Sequence, residues 1–152
     1  LAVLDAPLMA AIAAAAMARI HECGPQSLAN MTLSCARLKY CDTPLLDAIA
    51  KAAIATIGEC IPLNLSNFAW SFAVLVYGDE QIIEAISARS LALIDDFNAQ
   101  QLANTVWAFA GLPVCDRPWL DANAAAAMRL LPEYGPQGLS NTAWAYAKLQ
   151  VC

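Results

Sequence analysis

Charge is scarce in this chain. Only 14% of its 152 residues are Asp, Glu, Lys or Arg, against roughly 25% in an ordinary domain. Histidine occurs once, as His21, and no two cysteines stand in a Cys-x-x-Cys pair. A zinc site therefore has no usable ligand spacing. There is no glycine-rich phosphate loop, no Ser-His-Asp set and no pair of carboxylates placed to share a cleft. Nucleotide chemistry and acid–base or nucleophilic catalysis lose their usual starting points. The expectation is a chain that is not an enzyme, holds no metal or cofactor, and takes no small-molecule substrate. A surface so poor in charge is expected to face a partner or more of its own kind.

Basic residues are the scarcer sign. Eight Lys and Arg stand against thirteen Asp and Glu, giving a net charge of −5 and a pI near 4.6. Taken alone, this argues against nucleic acid, which is normally met by a basic stripe. The acids are not scattered, however. Asp5, Asp42, Asp79 and Asp116 share one position of a repeat, and Glu22, Glu59, Asp96 and Glu133 share another. These two columns read as helix-start devices, so net charge says little about a ligand face.

What the chain has in plenty is repetition. Leu-Ser-Asn-Thr-Ala-Trp-Ala-Tyr-Ala-Lys-Leu, residues 139–149, has earlier copies beginning at Leu28, Leu65 and Leu102, each 37 residues apart. A constant interval signals one supersecondary unit used four times. The units run over about 5–41, 42–78, 79–115 and 116–152, in one helical-repeat domain expected to be part of a longer array.

Each unit reads as two helices, so the fold class is all-α. Helix A opens at Asp5-Ala6-Pro7, Asp42-Thr43-Pro44, Asp79-Glu80-Gln81 and Asp116-Arg117-Pro118. Asp is a strong N-cap, and Pro is tolerated in the first turn. Apolar residues follow at helical spacing (Leu45, Leu46, Ile49, Ile54 and Ile57 in the second copy), with Asn123 interrupting the fourth copy. Helix B opens at Gly24-Pro25, Ile61-Pro62, Asn98-Ala99 and Gly135-Pro136. The second acidic column lies just before it and is expected to face the positive helix end, at about 0.3–1 kcal/mol each.

The six cysteines do not read as a disulfide framework. Cys23, Cys35 and Cys60 fill columns that elsewhere hold Phe or Tyr, and Cys41, Cys115 and Cys152 fall in the turn between units. Neighbouring units about 10 Å apart are too far for same-column bridges. Free thiols point to a reducing compartment. The uncharged runs Cys60 to Gly78 and Phe97 to Cys115 each include a turn, so they read as packed helix and not as membrane spans.

Helix B has three faces. One carries Leu28, Leu65, Leu102 and Leu139 with Phe72, Phe109 and Tyr146; a second carries Trp70, Trp107 and Trp144. Both are expected to be buried. The third is small and polar: Ser27, Asn30, Ser34 and Arg37 in the first copy, Asn64, Asn67 and Ser71 in the second, Gln101 and Asn104 in the third, and Asn141 with Lys148 in the fourth. Spacing of i, i+3, i+7 and i+10 sets these residues along one side. Asn30, Asn67, Asn104 and Asn141 form a ladder. Each amide either satisfies a backbone carbonyl in the adjacent turn or lines a groove for an extended ligand; both readings stay open.

The motif Pro136-Gln137-Gly138-Leu139-Ser140-Asn141-Thr142-Ala143-Trp144-Ala145-Tyr146-Ala147-Lys148-Leu149 resembles the octotricopeptide repeat. The resemblance spans all four units. It implies a right-handed α-solenoid of four tandem helix-turn-helix repeats. It also implies an organellar single-stranded RNA-binding factor acting in transcript processing, stability or translation, with the chloroplast ahead of the mitochondrion. The first copy lacks the Trp, Leu63 replaces Gln in the second, and Ala99 replaces Pro in the third. Electrostatics favour the alternative: a protein-interaction scaffold or structural subunit of a larger photosynthetic or ribosomal complex. Only Arg37 and Lys148 bring positive charge to the polar face.

Overall fold

The computed structural model describes residues 5–112 and 115–149. Cys152, expected in the turn that closes the fourth unit, lies outside them. The described residues form eight α-helices and no strand. They are α1 (Ala6–Ala18), α2 (Pro25–Leu38), α3 (Thr43–Ala55), α4 (Pro62–Val74), α5 (Glu80–Ala92), α6 (Ala99–Gly111), α7 (Arg117–Leu130) and α8 (Pro136–Leu149). None is long and apolar enough to cross a membrane.

The aspartate column does what its chemistry suggests. A carboxylate oxygen accepts the backbone N–H of Leu8 from Asp5 at 3.0 Å, of Leu45 from Asp42 at 3.0 Å, of Ile82 from Asp79 at 3.2 Å and of Trp119 from Asp116 at 3.1 Å. Each cap of this kind contributes about 1 kcal/mol. The second acidic column behaves differently. Glu22, Glu59, Asp96 and Glu133 close a short 3-10 turn that ends each first helix. No cap on a second helix comes from them among the described residues. Glu22 is ion-paired with Arg19 at 2.7 Å instead. The start of α4 is closed by Asn64, whose Oδ1 accepts the Ile61 N–H at 3.1 Å. At α6, Asn98 and Gln101 each accept the other's backbone N–H, at 2.9 and 3.0 Å. An oxygen within the first turn reaches the free N–H groups directly, so a carboxylate further back is not needed.

The helices pack in two rows. In one, α1, α3, α5 and α7 touch in chain order; in the other, α2, α4, α6 and α8 do so more closely. Each second helix also packs on the first helix of the following unit. Leu28, Leu65, Leu102, Ile49, Ile86, Phe72 and Phe109 are buried between the rows. Burial of each such side chain is worth about 1.5–3 kcal/mol.

Close approach within the second row comes from small residues. Ser71, Ala108 and Ala145 are buried on one side of their helices, and Ala29, Ser66 and Ala103 on the other. A Cβ on Gly138 would lie 3.7 Å from that of Ala103, and one on Gly111 would lie 3.8 Å from that of Ala73. Backbones this close leave no room for larger side chains at the contact.

Asn123, which interrupts the apolar stripe of α7, is fully buried. The Tyr146 hydroxyl shares its proton between Asn123 Oδ1 at 2.9 Å and the Leu120 carbonyl at 3.0 Å, while the Asn123 amide N–H reaches the Leu102 carbonyl at 3.4 Å. Units two and three hold Ile49 with Phe72 and Ile86 with Phe109 at the same two positions. The fourth unit has exchanged an apolar pair for a polar one, and buried polar groups persist when paired.

Candidate nucleic-acid interface

The polar face of the second row is built on the first two turns of each helix. Pro or Ala enters the helix, the asparagine follows about one turn later, and the tryptophan one turn after that. Residues three apart share a side, so Asn67 and Trp70, Asn104 and Trp107, and Asn141 and Trp144 are neighbours along one stripe.

Asn30 is exposed, and Asn67, Asn104 and Asn141 are half-exposed. No side-chain amide of the four has a hydrogen-bond partner among the described residues. The bonding of each amide to an adjacent backbone carbonyl is therefore absent here. Each amide keeps a donor and an acceptor without a partner in the chain. Between α6 and α8 the stripe deepens into a cleft of about 300 Å³, lined by Gln100, Asn104, Gln137, Asn141, Glu133 and Tyr134.

Several residues expected on this stripe are elsewhere or otherwise engaged. Ser71 is fully buried at the contact between neighbouring helices. Its position is a packing position, since Ala108 and Ala145 fill it in the next units. Asn64 is buried and spent on capping α4, and Gln101 is half-buried and caps α6. Ser34 is exposed, and its hydroxyl donates to the Asn30 carbonyl at 2.8 Å. Ser27 and Arg37 are exposed. Lys148 is exposed, with its ammonium 5.1 Å above the Trp144 ring, within cation–π range.

The tryptophans correct a second expectation. Trp70 and Trp107 are half-buried, not buried, and Trp144 is exposed. The rings of Trp107 and Trp144 lie 6.3 Å apart. Indole surface is thus offered beside the asparagines. Its signal in the sequence was the i, i+3 relation to the ladder. A larger concavity lies on the other row, between Ile20, His21, Pro44, Asp47, Lys51 and Thr56, at about 700 Å³. No group of three or more metal-binding side chains occurs among the described residues.

A family model for RNA-editing substrate-binding complex 6 protein matches residues 2–151, and the chain belongs to that family. The resemblance to octotricopeptide repeats is overturned by this match. The confusion has a physical root. Two-helix repeats of similar period share leucine, alanine and aromatic columns because the packing problem is the same. No curated protein matches the chain.

Proposed function

We propose that the chain is a non-catalytic binding module of an RNA-editing assembly, and that single-stranded RNA lies along the asparagine–tryptophan stripe of its second helix row. The observation that carries this reading is the ladder of partly exposed amides with no partner among the described residues, set beside partly exposed indoles. Amides read base edges, and indole faces stack on bases. Family membership supports a role in substrate binding. The two rows in chain order support a solenoid of four stacked units, with the right-handed sense usual for helical pairs of this type. The family assignment favours the mitochondrion, which replaces the chloroplast expected from the earlier resemblance.

The binding is weak in electrostatic terms. Arg37 and Lys148 are the formal cations on the stripe. Two phosphate contacts on a single strand give a log–log salt slope of about −1.4. Fluorescence anisotropy with labelled single-stranded RNA at two salt concentrations measures it directly. The expected result is binding at low salt with that shallow slope, weakened severalfold by Asn104→Ala with Asn141→Ala. No binding at low salt sinks the reading.

The shortage of positive charge specifically favours a second reading, in which the same stripe receives an extended protein segment whose backbone bonds to the amides. In that case duplex and single-stranded RNA fail alike, and the anisotropy of a labelled partner peptide responds to the same asparagine changes.

A further inference from the structure

One missing side chain sets the joint between α6 and α8 apart. Gly138 stands where the second and third units hold Asn64 and Gln101. Those two amides fold back over the start of their helices, accepting the Ile61 N–H at 3.1 Å and the Asn98 N–H at 3.0 Å. Gly138 leaves the corresponding place empty, and the cleft of about 300 Å³ between α6 and α8 lies there. A Cβ at position 138 would sit 3.2 Å from the Tyr134 ring and 3.7 Å from the Ala103 Cβ. Any side chain at 138 would therefore stand against both.

Ala99, Ala103 and the Tyr134 ring line the cleft on its buried side, and Gln100, Asn104, Gln137 and Asn141 line it nearer solvent together with Glu133. None of these four amides, nor the Glu133 carboxylate, has a hydrogen-bond or ion-pair partner among the described residues. Gln100 and Gln137 are exposed, as Gln26 is in the first unit, and Glu133 is exposed like Asp96 and Glu59. The rim is thus common to the units, and the cleft lies between two helices that pack on one another. What is particular to it is the glycine.

On the reading that single-stranded RNA lies along the stripe, we infer that one base of the strand enters this cleft, and that the cleft takes adenine in preference to uracil. Small-ligand sites run from about 300 to 1,000 Å³, so there is room for a single base. A primary amide sets a donor beside an acceptor, the pattern that meets adenine N6 and N7 together. Four such amides surround the opening, with an aromatic side chain below them for the base to lie against. Glu133 separates the bases. A carboxylate only accepts, so it gains from an exocyclic amino group and repels the carbonyl oxygens of uracil. At the two earlier joints Asn64 and Gln101 take the space. Base reading is therefore concentrated at the fourth unit, while the rest of the ladder holds any base.

Fluorescence anisotropy of the full chain at low salt tests this with three short labelled strands: oligouridylate, the same strand with one central adenine, and the same strand with one central abasic site. The adenine strand is expected to bind at least about fivefold more tightly than oligouridylate, the lower end of what one bidentate amide contact gives. The abasic strand is expected to gain nothing. Gly138→Gln restores the side chain of the third unit, where Gln101 is accommodated at the helix start. It is expected to bring the adenine and uridine strands to near-equal affinity. Glu133→Gln leaves the cleft open and is expected to lower the preference by removing the repulsion of uracil. Unchanged helical circular dichroism verifies the fold of both variants. Equal binding of the adenine and uridine strands by the unaltered chain overturns the inference and leaves the stripe reading standing. A Gly138→Gln variant that keeps the full preference does the same, as does an abasic strand that binds as tightly as the adenine strand. Failure of all three strands to bind overturns both.

Discussion

Asn123 and Tyr146 give the sharpest test of how this fold is held. Tyr146→Phe removes the hydroxyl that sits 2.9 Å from Asn123 Oδ1. That oxygen then remains in a site with no solvent exposure, and an unpaired buried acceptor costs about 1–3 kcal/mol. For a domain of this length the loss corresponds to a fall in Tm of a few to about ten degrees. Asn123→Ile alone removes one partner of the tyrosine hydroxyl, but the Leu120 carbonyl at 3.0 Å still accepts from it. Its cost is therefore the smaller of the two. The double change Tyr146→Phe with Asn123→Ile recreates the pairs Phe72 with Ile49 and Phe109 with Ile86. It is expected to be near neutral, because replacing both partners by apolar groups leaves nothing unpaired. Urea unfolding followed by circular dichroism gives the three free energies, and the cycle should show a coupling of at least about 1 kcal/mol. A double variant as unstable as the sum of the singles refutes the idea that these two positions are one interchangeable unit.

Ser71→Ala should stabilise by about 1 kcal/mol, because the Ser71 hydroxyl is buried with no hydrogen-bond partner; it should leave RNA binding unchanged, which an anisotropy titration checks. Val76 is 85% exposed with φ of 54°, a left-handed conformation that is costly for a β-branched residue. Val76→Gly should raise the urea midpoint by relieving about 1 kcal/mol of strain. Asp116→Ala should cost more than Asp5→Ala, since both lose a helix cap but only Asp116 also accepts the buried Ser87 hydroxyl, at 2.6 Å; the same unfolding assay ranks them. Burial raises the Cys60 thiol from 9.0 to about 11 and also raises Tyr77 and Tyr146. These groups hold their protons more tightly when folded, so their contribution is fully present below the unfolded values and is lost as pH rises from about 9 toward 11. Thermal midpoints should fall across that window, and Cys60→Ala should lessen the fall; a flat profile contradicts the assignment.

How far the sequence revealed this depended on which physics each column obeyed. Asp5, Asp42, Asp79 and Asp116 were legible as caps because a cap is local, needing only its own backbone a few residues on. The two helices of each unit were legible for the same reason. The position of Ser71 was not. Spacing put it on the polar side of α4, but whether that side meets water or the next helix depends on how closely helices approach. That approach was set by the run of Ser and Ala residues taken together. The tryptophans failed in the opposite direction: an indole read as core is too large to vanish between helices this close, so its edge stays at the surface. Asn123 looked like a flaw in a stripe until its partner, one helix later, was in place.

The same reasoning bounds what the stripe can do. A stripe with two cations holds a polyanion only where many short contacts add along its length, and one unit offers one amide and at most one indole. Four units are therefore few for RNA, and each further unit adds another amide and indole without adding charge. Strand length should therefore govern affinity: a single strand long enough to touch all four amides should bind several-fold more tightly than one that spans two, because each contact raises the effective concentration for the next. Anisotropy titrations with a short and a long single strand at low salt measure this. Equal affinities for both lengths would mean that RNA does not lie along the row.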